Sequence, residues 1–103
     1  MEENEIGQRI LGCALTVHRA LGPGPQLVLP VTYDGLNIDA GYRLDLLVGR
    51  RVVIEVKAIE KLVDVHRAQL LSYLKLGGFR LGYLLNFNVG LMKNGIVRIA
   101  NGL

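Results

Sequence analysis

The chain has 103 residues, half of them hydrophobic and 20% charged, with a formal net charge of +3. That length suits one domain with one core, and that balance excludes a disordered charged tail. A single cysteine, Cys13, rules out an internal disulfide and a cysteine-based zinc or iron–sulfur centre, and no apolar run nears the roughly 18 residues that a bilayer crossing needs.

The first residues, Met1-Glu2-Glu3-Asn4-Glu5, are acidic, and no signal peptide is expected. A soluble, cytoplasmic protein is expected. From Asn4 to Leu21, the residues Ile6, Ile10, Cys13, Ala14, Val17 and Leu21 recur at helical spacing. Asn4 can cap this helix, and Gly22-Pro23-Gly24-Pro25 stops it. The Gly-x-Gly here follows a helix and not a strand, so it reads as a stop and not as a phosphate loop.

Leu27 to Tyr33 is aliphatic, with Pro30 confining it to an edge or irregular strand. Asp34-Gly35 is a hairpin turn signal before Leu36 to Asp39. Tyr42 to Val48 and Arg51 to Lys57 read as two strands. A second helix runs from a capping Asp64 to about Leu76 and stops at Gly77-Gly78. Arg80 to Phe87 is an apolar strand whose crossover helix implies a parallel neighbour, and Asn94-Gly95 precedes a last strand, Ile96 to Ala100. The class is α/β, with helix, three strands, helix and strand around a mixed central sheet, plus a short C-terminal strand.

The chemistry centres on Asp45 and on Glu55-Val56-Lys57. Along the second strand of the hairpin, Val52, Ile54 and Val56 share one face while Val53, Glu55 and Lys57 share the other. Aliphatics meet aliphatics only if Val48 pairs with Val52, which sets Asp45 opposite Glu55 and leaves Gly49-Arg50-Arg51 as a three-residue connection, with a bulge expected there. Opposed carboxylates have Cβ atoms about 5 Å apart. Like charges about 4 Å apart repel by roughly 4 kcal/mol at an intermediate dielectric. Lys57 offsets part of this, and a divalent cation offsets more. Mg²⁺ takes oxygen ligands, commonly one or two carboxylates with waters and phosphates. It polarises a phosphoryl oxygen and acidifies a bound water, while a lysine can stabilise the developing charge or hold the water. That set suits phosphodiester hydrolysis.

The same three residues could instead form an ion-paired patch on an exposed sheet face. The apolar runs on either side of them argue for strands covered on both faces, where charge is costly without a partner or a role. On the second helix, Gln69 and Tyr73 are i and i+4 neighbours, with His66 three residues before Gln69. An amide and a phenol there could orient water or touch a phosphate. Alone, Gln-x-x-x-Tyr is a weak signal, since these are also ordinary polar positions of an amphipathic helix.

Taken together, Asp45, Glu55-Val56-Lys57 and Gln69-Leu70-Leu71-Ser72-Tyr73 resemble the core of the PD-(D/E)XK nuclease superfamily, the last motif being similar to the Q-x-x-x-Y helix of its RecB-like branch. Ala20-Leu21-Gly22-Pro23-Gly24, Gly41 to Val48, Glu55 to Ala58, Ala68 to Lys75 and Asn86-Phe87-Asn88-Val89 resemble the small bacterial GxxExxY proteins grouped with it. The resemblance implies a single nuclease-like domain over residues 1–103 that acts on DNA with Mg²⁺ or Mn²⁺. Asp45, Glu55 and the Val56 carbonyl would hold the metal, Lys57 would assist the water or transition state, and Gln69 and Tyr73 would lie at the rim. One departure matters. The Glu and Tyr that name the family would fall at Leu27 and Pro30, so that segment is missing and the chain is shortened after residue 25. A helix glutamate often completes the metal site in this superfamily; the resemblance implies that it is absent here, with impaired activity as the consequence. The alternative is a catalytically inactive module with this fold that binds nucleic acid or protein. A homodimer could cover sheet surface that the shortening leaves bare.

The charge divides unevenly, with 5 basic and 6 acidic residues in 1–52 against 7 and 3 in 53–103. Arg50, Arg51, Lys61, Arg67 and Lys75 could touch phosphates without reading sequence or be solvated surface charges. His18 is expected at the surface near the helix end, and Cys13 is expected to be a buried small hydrophobe.

Overall fold

The computed structural model describes residues 2–21, 31–33, 36–38, 44–57 and 59–103. In chain order its elements are α1 (Glu3–Leu21), β1 (Val31–Tyr33), β2 (Leu36–Ile38), β3 (Leu44–Val48), β4 (Val52–Lys57), α2 (Asp64–Gly77), β5 (Leu81–Asn86), a 3-10 turn (Met92–Gly95) and β6 (Ile96–Ala100). The fold is mixed α/β. Its central sheet has the order β3-β4-β5-β6, in which only β4 and β5 run parallel. The helix between β4 and β5 supplies the long crossover that parallel neighbours need. β1 and β2 pair with each other as a separate two-stranded sheet, in the register Val31↔Ile38 and Tyr33↔Leu36. That register leaves two residues between the strands, Asp34 and Gly35, which lie outside the described residues, as do Gly22 to Pro30 and residues 39–43.

The expected β3–β4 register is the one found: Val48↔Val52, Leu47↔Val53 and Asp45↔Glu55. Gly49 and Arg50 both have φ of +61°, the signs of a type I′ turn, and Arg51 N–H donates to Val48 O at 3.1 Å. Such a turn follows the right-handed twist of the flanking strands.

The alternation of β4 and β5 sorts the core into two layers. Val52, Ile54, Val56, Leu81, Tyr83 and Leu85 pack with Ile6 and Ala14 of α1. Val53 and Leu84 pack on the other face with Leu70 and Leu74 of α2. Both strands are buried along their whole length. Gly82 lets α2 approach β5, because a Cβ there would lie 3.1 Å from Leu74 Cδ2 and 3.2 Å from Val53 O.

Several local expectations are corrected. Asn4 lies inside α1, and its Oδ1 accepts from Arg98 Nη2 at 2.9 Å, so it ties the helix to β6 and does not cap it. α2 is capped at Val63, whose N–H donates to His66 Nδ1 at 2.9 Å, while Asp64 occupies the first turn, where its charge suits the helix dipole. Cys13 is exposed, whereas His18 is buried, with its Nε2 2.6 Å from Val89 O. The buried arc of α1 runs from Ile6 across Ala14 to His18, so Cys13 falls just beyond one edge and His18 inside the other. Gly78 ends α2 in the left-handed region at φ +74°, donating to Leu74 O.

Candidate functional site

β4 lies between β3 and β5, so its alternating side chains point into two covered layers. The face that meets α2 begins with Val53 and continues through Glu55 and Lys57 toward the C-terminal end of the strand. Glu55 is 2% exposed and Lys57 7%. Lys57 Nζ is 3.9 Å from Glu55 Oε2. This is an ion pair at charge-contact distance and longer than a direct hydrogen bond. On β3, Asp45 takes the register position opposite Glu55, and opposed positions of an antiparallel ladder share a face. Its side chain lies outside the described part of the structure.

On the other side, the β5 register sets Leu84 beside Glu55 and Asn86 beside Lys57. Leu84 is apolar and fully buried, whereas Asn86, 1% exposed, is an amide at the end of an otherwise apolar strand. Its Oδ1 accepts from Ile59 N–H at 3.0 Å and from Asn88 N–H at 3.2 Å, and its Nδ2 donates to Ile59 O at 2.9 Å. Phe87 N–H donates to Lys57 O at 2.9 Å. In the sequence Asn86 belongs to the Asn86-Phe87-Asn88-Val89 motif, which assigns it no role of its own. A polar residue closing a buried apolar run was the signal that could have singled it out.

The α2 residues divide. Leu70 and Leu74 form the buried stripe. Gln69 is exposed, and Tyr73, 49% exposed, stacks its ring on Phe79 at a centroid distance of 6.3 Å. Both therefore sit on the outer side of the helix and not among the buried charges. Arg50 and Arg51 are exposed at the opposite end of β4, where Arg51 Nη1 lies 3.6 Å from Glu3 Oε1. That pair holds an α1 acid at the hairpin loop. Among the described residues no group of three His, Cys, Asp or Glu side chains is disposed to hold a metal. No described helix is long and apolar enough to cross a membrane.

A family model described as the PD-(D/E)XK nuclease superfamily matches residues 24–99. The chain belongs to the PD-(D/E)XK nuclease superfamily. The match spans β1 to β6 and includes Asp45, Glu55 and Lys57. Its mixed sheet, with α2 as the crossover between parallel β4 and β5, is compatible with the restriction-endonuclease-like fold of that superfamily. PD-(D/E)XK nucleases generally use divalent metals. No curated protein and no solved structure gives a significant match to the chain.

The donor chemistry at the end of β4 fits such an ion. Glu55 is a buried carboxylate beside one buried ammonium, and the register brings a second acid opposite it. Carboxylate and backbone carbonyl oxygens are the hard donors that Mg²⁺ and Mn²⁺ take.

Proposed function

We propose that this PD-(D/E)XK protein hydrolyses DNA phosphodiester bonds with Mg²⁺ or Mn²⁺, and that residues 1–103 act as one nuclease-like domain of the RecB-like branch, shortened after residue 25. The observation that carries the reading is the buried Glu55–Lys57 pair on the face where Asp45 is in register with Glu55. Asp45, Glu55 and the Val56 carbonyl would hold the ion. When bound, the metal supplies a polarised phosphoryl oxygen and a more acidic water. Lys57 brings a compact positive charge on a flexible stem. Its burial places that charge in a low-dielectric layer, where it stabilises negative charge on the reacting phosphoryl group more strongly than it would in water. Gln69 and Tyr73, on the outer side of α2, serve as contacts to the nucleic-acid backbone at the rim.

A second reading, a module of this fold without catalysis, is favoured by one specific observation. The α1 acid Glu3 is engaged with Arg51 at the hairpin end of the sheet, so α1 does not supply a third carboxylate through that residue. The two readings separate in one experiment. Mn²⁺ binding by calorimetry and nicking of supercoiled plasmid are measured on wild type and Glu55→Ala purified in parallel. Hydrolysis predicts binding and nicking that both vanish in Glu55→Ala. Metal binding without nicking selects the inactive module, and nicking that survives Glu55→Ala refutes this site as its source.

A further inference from the structure

We infer that Asn86 is a positioning residue for the Glu55–Lys57 pair, its buried amide clipping the chain that leaves β4 and thereby fixing where Lys57 presents its ammonium. The inference rests on the functional reading above. The β4–β5 ladder ends at the row Lys57↔Asn86, and the described chain resumes at Ile59, ahead of α2. There one side chain takes over from the backbone. Asn86 Oδ1 accepts Ile59 N–H at 3.0 Å, and Asn86 Nδ2 donates to Ile59 O at 2.9 Å. The N–H and C=O of Ile59 thus meet the two ends of a single planar amide, as they would meet a neighbouring strand. This pairing also assigns the amide orientation, since only oxygen accepts from Ile59 N–H and only nitrogen donates to its carbonyl.

The clip is reinforced from two sides. Asn88 Nδ2 donates to the same Ile59 carbonyl at 3.3 Å, and Phe87 N–H donates to Lys57 O at 2.9 Å. Lys57 is therefore bracketed, held by ladder bonds before it and by the Asn86 amide two residues after it. An aspartate would lack the donor and a leucine would lack both groups. A buried amide is costly unless satisfied, so its place at this row of the sheet, and not elsewhere along the apolar β5, marks the row that must be held still.

The same fold provides a control. At the opposite end of β5, Asn101 Nδ2 donates to Phe79 O and Asn101 N–H donates to Arg80 O, both at 2.8 Å. This is a smaller asparagine clip, with one side-chain bond and one backbone bond against the three side-chain bonds of Asn86, and it sits at the other end of the strand from the Lys57 row. A residue that only stabilises the fold should behave like Asn101.

The test compares wild type, Asn86→Ala and Asn101→Ala. The first readout needs no activity: the acetylation rate of Lys57 by acetic anhydride, followed by peptide mass spectrometry, with exposed Lys75 as internal reference. Asn86→Ala is expected to speed Lys57 acetylation about tenfold relative to Lys75, by releasing the strand end to local opening, while Asn101→Ala leaves the ratio at the wild-type value. The second readout is Mn²⁺-dependent plasmid nicking. Asn86→Ala should lower kcat about tenfold or more with KM unchanged, as misplaced catalytic groups do, and Asn101→Ala should not. Wild-type protection of Lys57 in Asn86→Ala, or equal loss of protection in Asn101→Ala, overturns the proposal. A wild type that never nicks refutes the nuclease reading alone, because acetylation still decides the positioning. If Asn86→Ala does not fold, Asn86→Ser, which keeps one hydroxyl partner for Ile59, carries the same acetylation test.

Discussion

The charges at the end of β4 predict an unequal response to removing either partner. Lys57 Nζ and Glu55 Oε2 are 3.9 Å apart, which at an effective dielectric of about 20 is an attraction of roughly 4 kcal/mol. Lys57→Met keeps the stem and deletes the charge. Part of the lost attraction is returned because an ammonium no longer has to be desolvated, and a net loss of about 3 kcal/mol is expected, at the lower end for breaking a buried pair. Glu55→Gln also deletes the attraction. It simultaneously removes a like-charge neighbour of Asp45, which the register sets directly opposite. Carboxylates on opposed positions whose Cβ atoms stand about 5 Å apart repel by roughly 3 kcal/mol at the same dielectric, so Glu55→Gln should cost less than Lys57→Met. In EDTA, thermal unfolding should therefore show Lys57→Met melting about 12 °C or more below wild type and Glu55→Gln displaced by clearly less. Urea titrations at unchanged m-value check that the native state and not its compactness has changed. Added Mn²⁺ should raise the Tm of wild type and Lys57→Met but not of Glu55→Gln. The reasoning is refuted if, without metal, Glu55→Gln costs as much stability as Lys57→Met, since the two acids would then not oppose each other.

Three further outcomes follow from the packing. Leu70 is fully buried between α2 and the sheet, so Leu70→Ala should cost about 2–5 kcal/mol in urea denaturation; a cost below about 1 kcal/mol would mean that α2 is not seated as described. Gly82→Ala would press a methyl against Leu74, Leu70 and the Val53 carbonyl, and should lower stability by about 1–3 kcal/mol, with an unchanged Tm counting against that close approach. Arg50 holds φ +61° in the hairpin turn, which a β-carbon disfavours by about 1 kcal/mol; Arg50→Asn, a residue that tolerates this region, should raise Tm by a few degrees, and a lower Tm would contradict the turn geometry.

The α/β class, the parallel partner of β5 and the Asp45↔Glu55 register were all legible in the residue order. They rest on short-range rules, since strand parity fixes which residues share a face and only one register matched aliphatic with aliphatic across the Gly49–Arg51 connection. The membership in the PD-(D/E)XK superfamily was legible as a resemblance, carried by Asp45, Glu55-Val56-Lys57 and Gln69 to Tyr73. Periodicity left open which edge of the α1 stripe faces the sheet, and so Cys13 and His18 exchanged their expected places. It also could not show that Asn4 would be taken by Arg98, or that Asn86 would reach across 27 residues to Ile59. Such contacts join segments distant along the chain. The helix rotation, the strand order and the placement of Ile59 against β5 must be set by packing before a donor and an acceptor meet, and no local pattern carries that information.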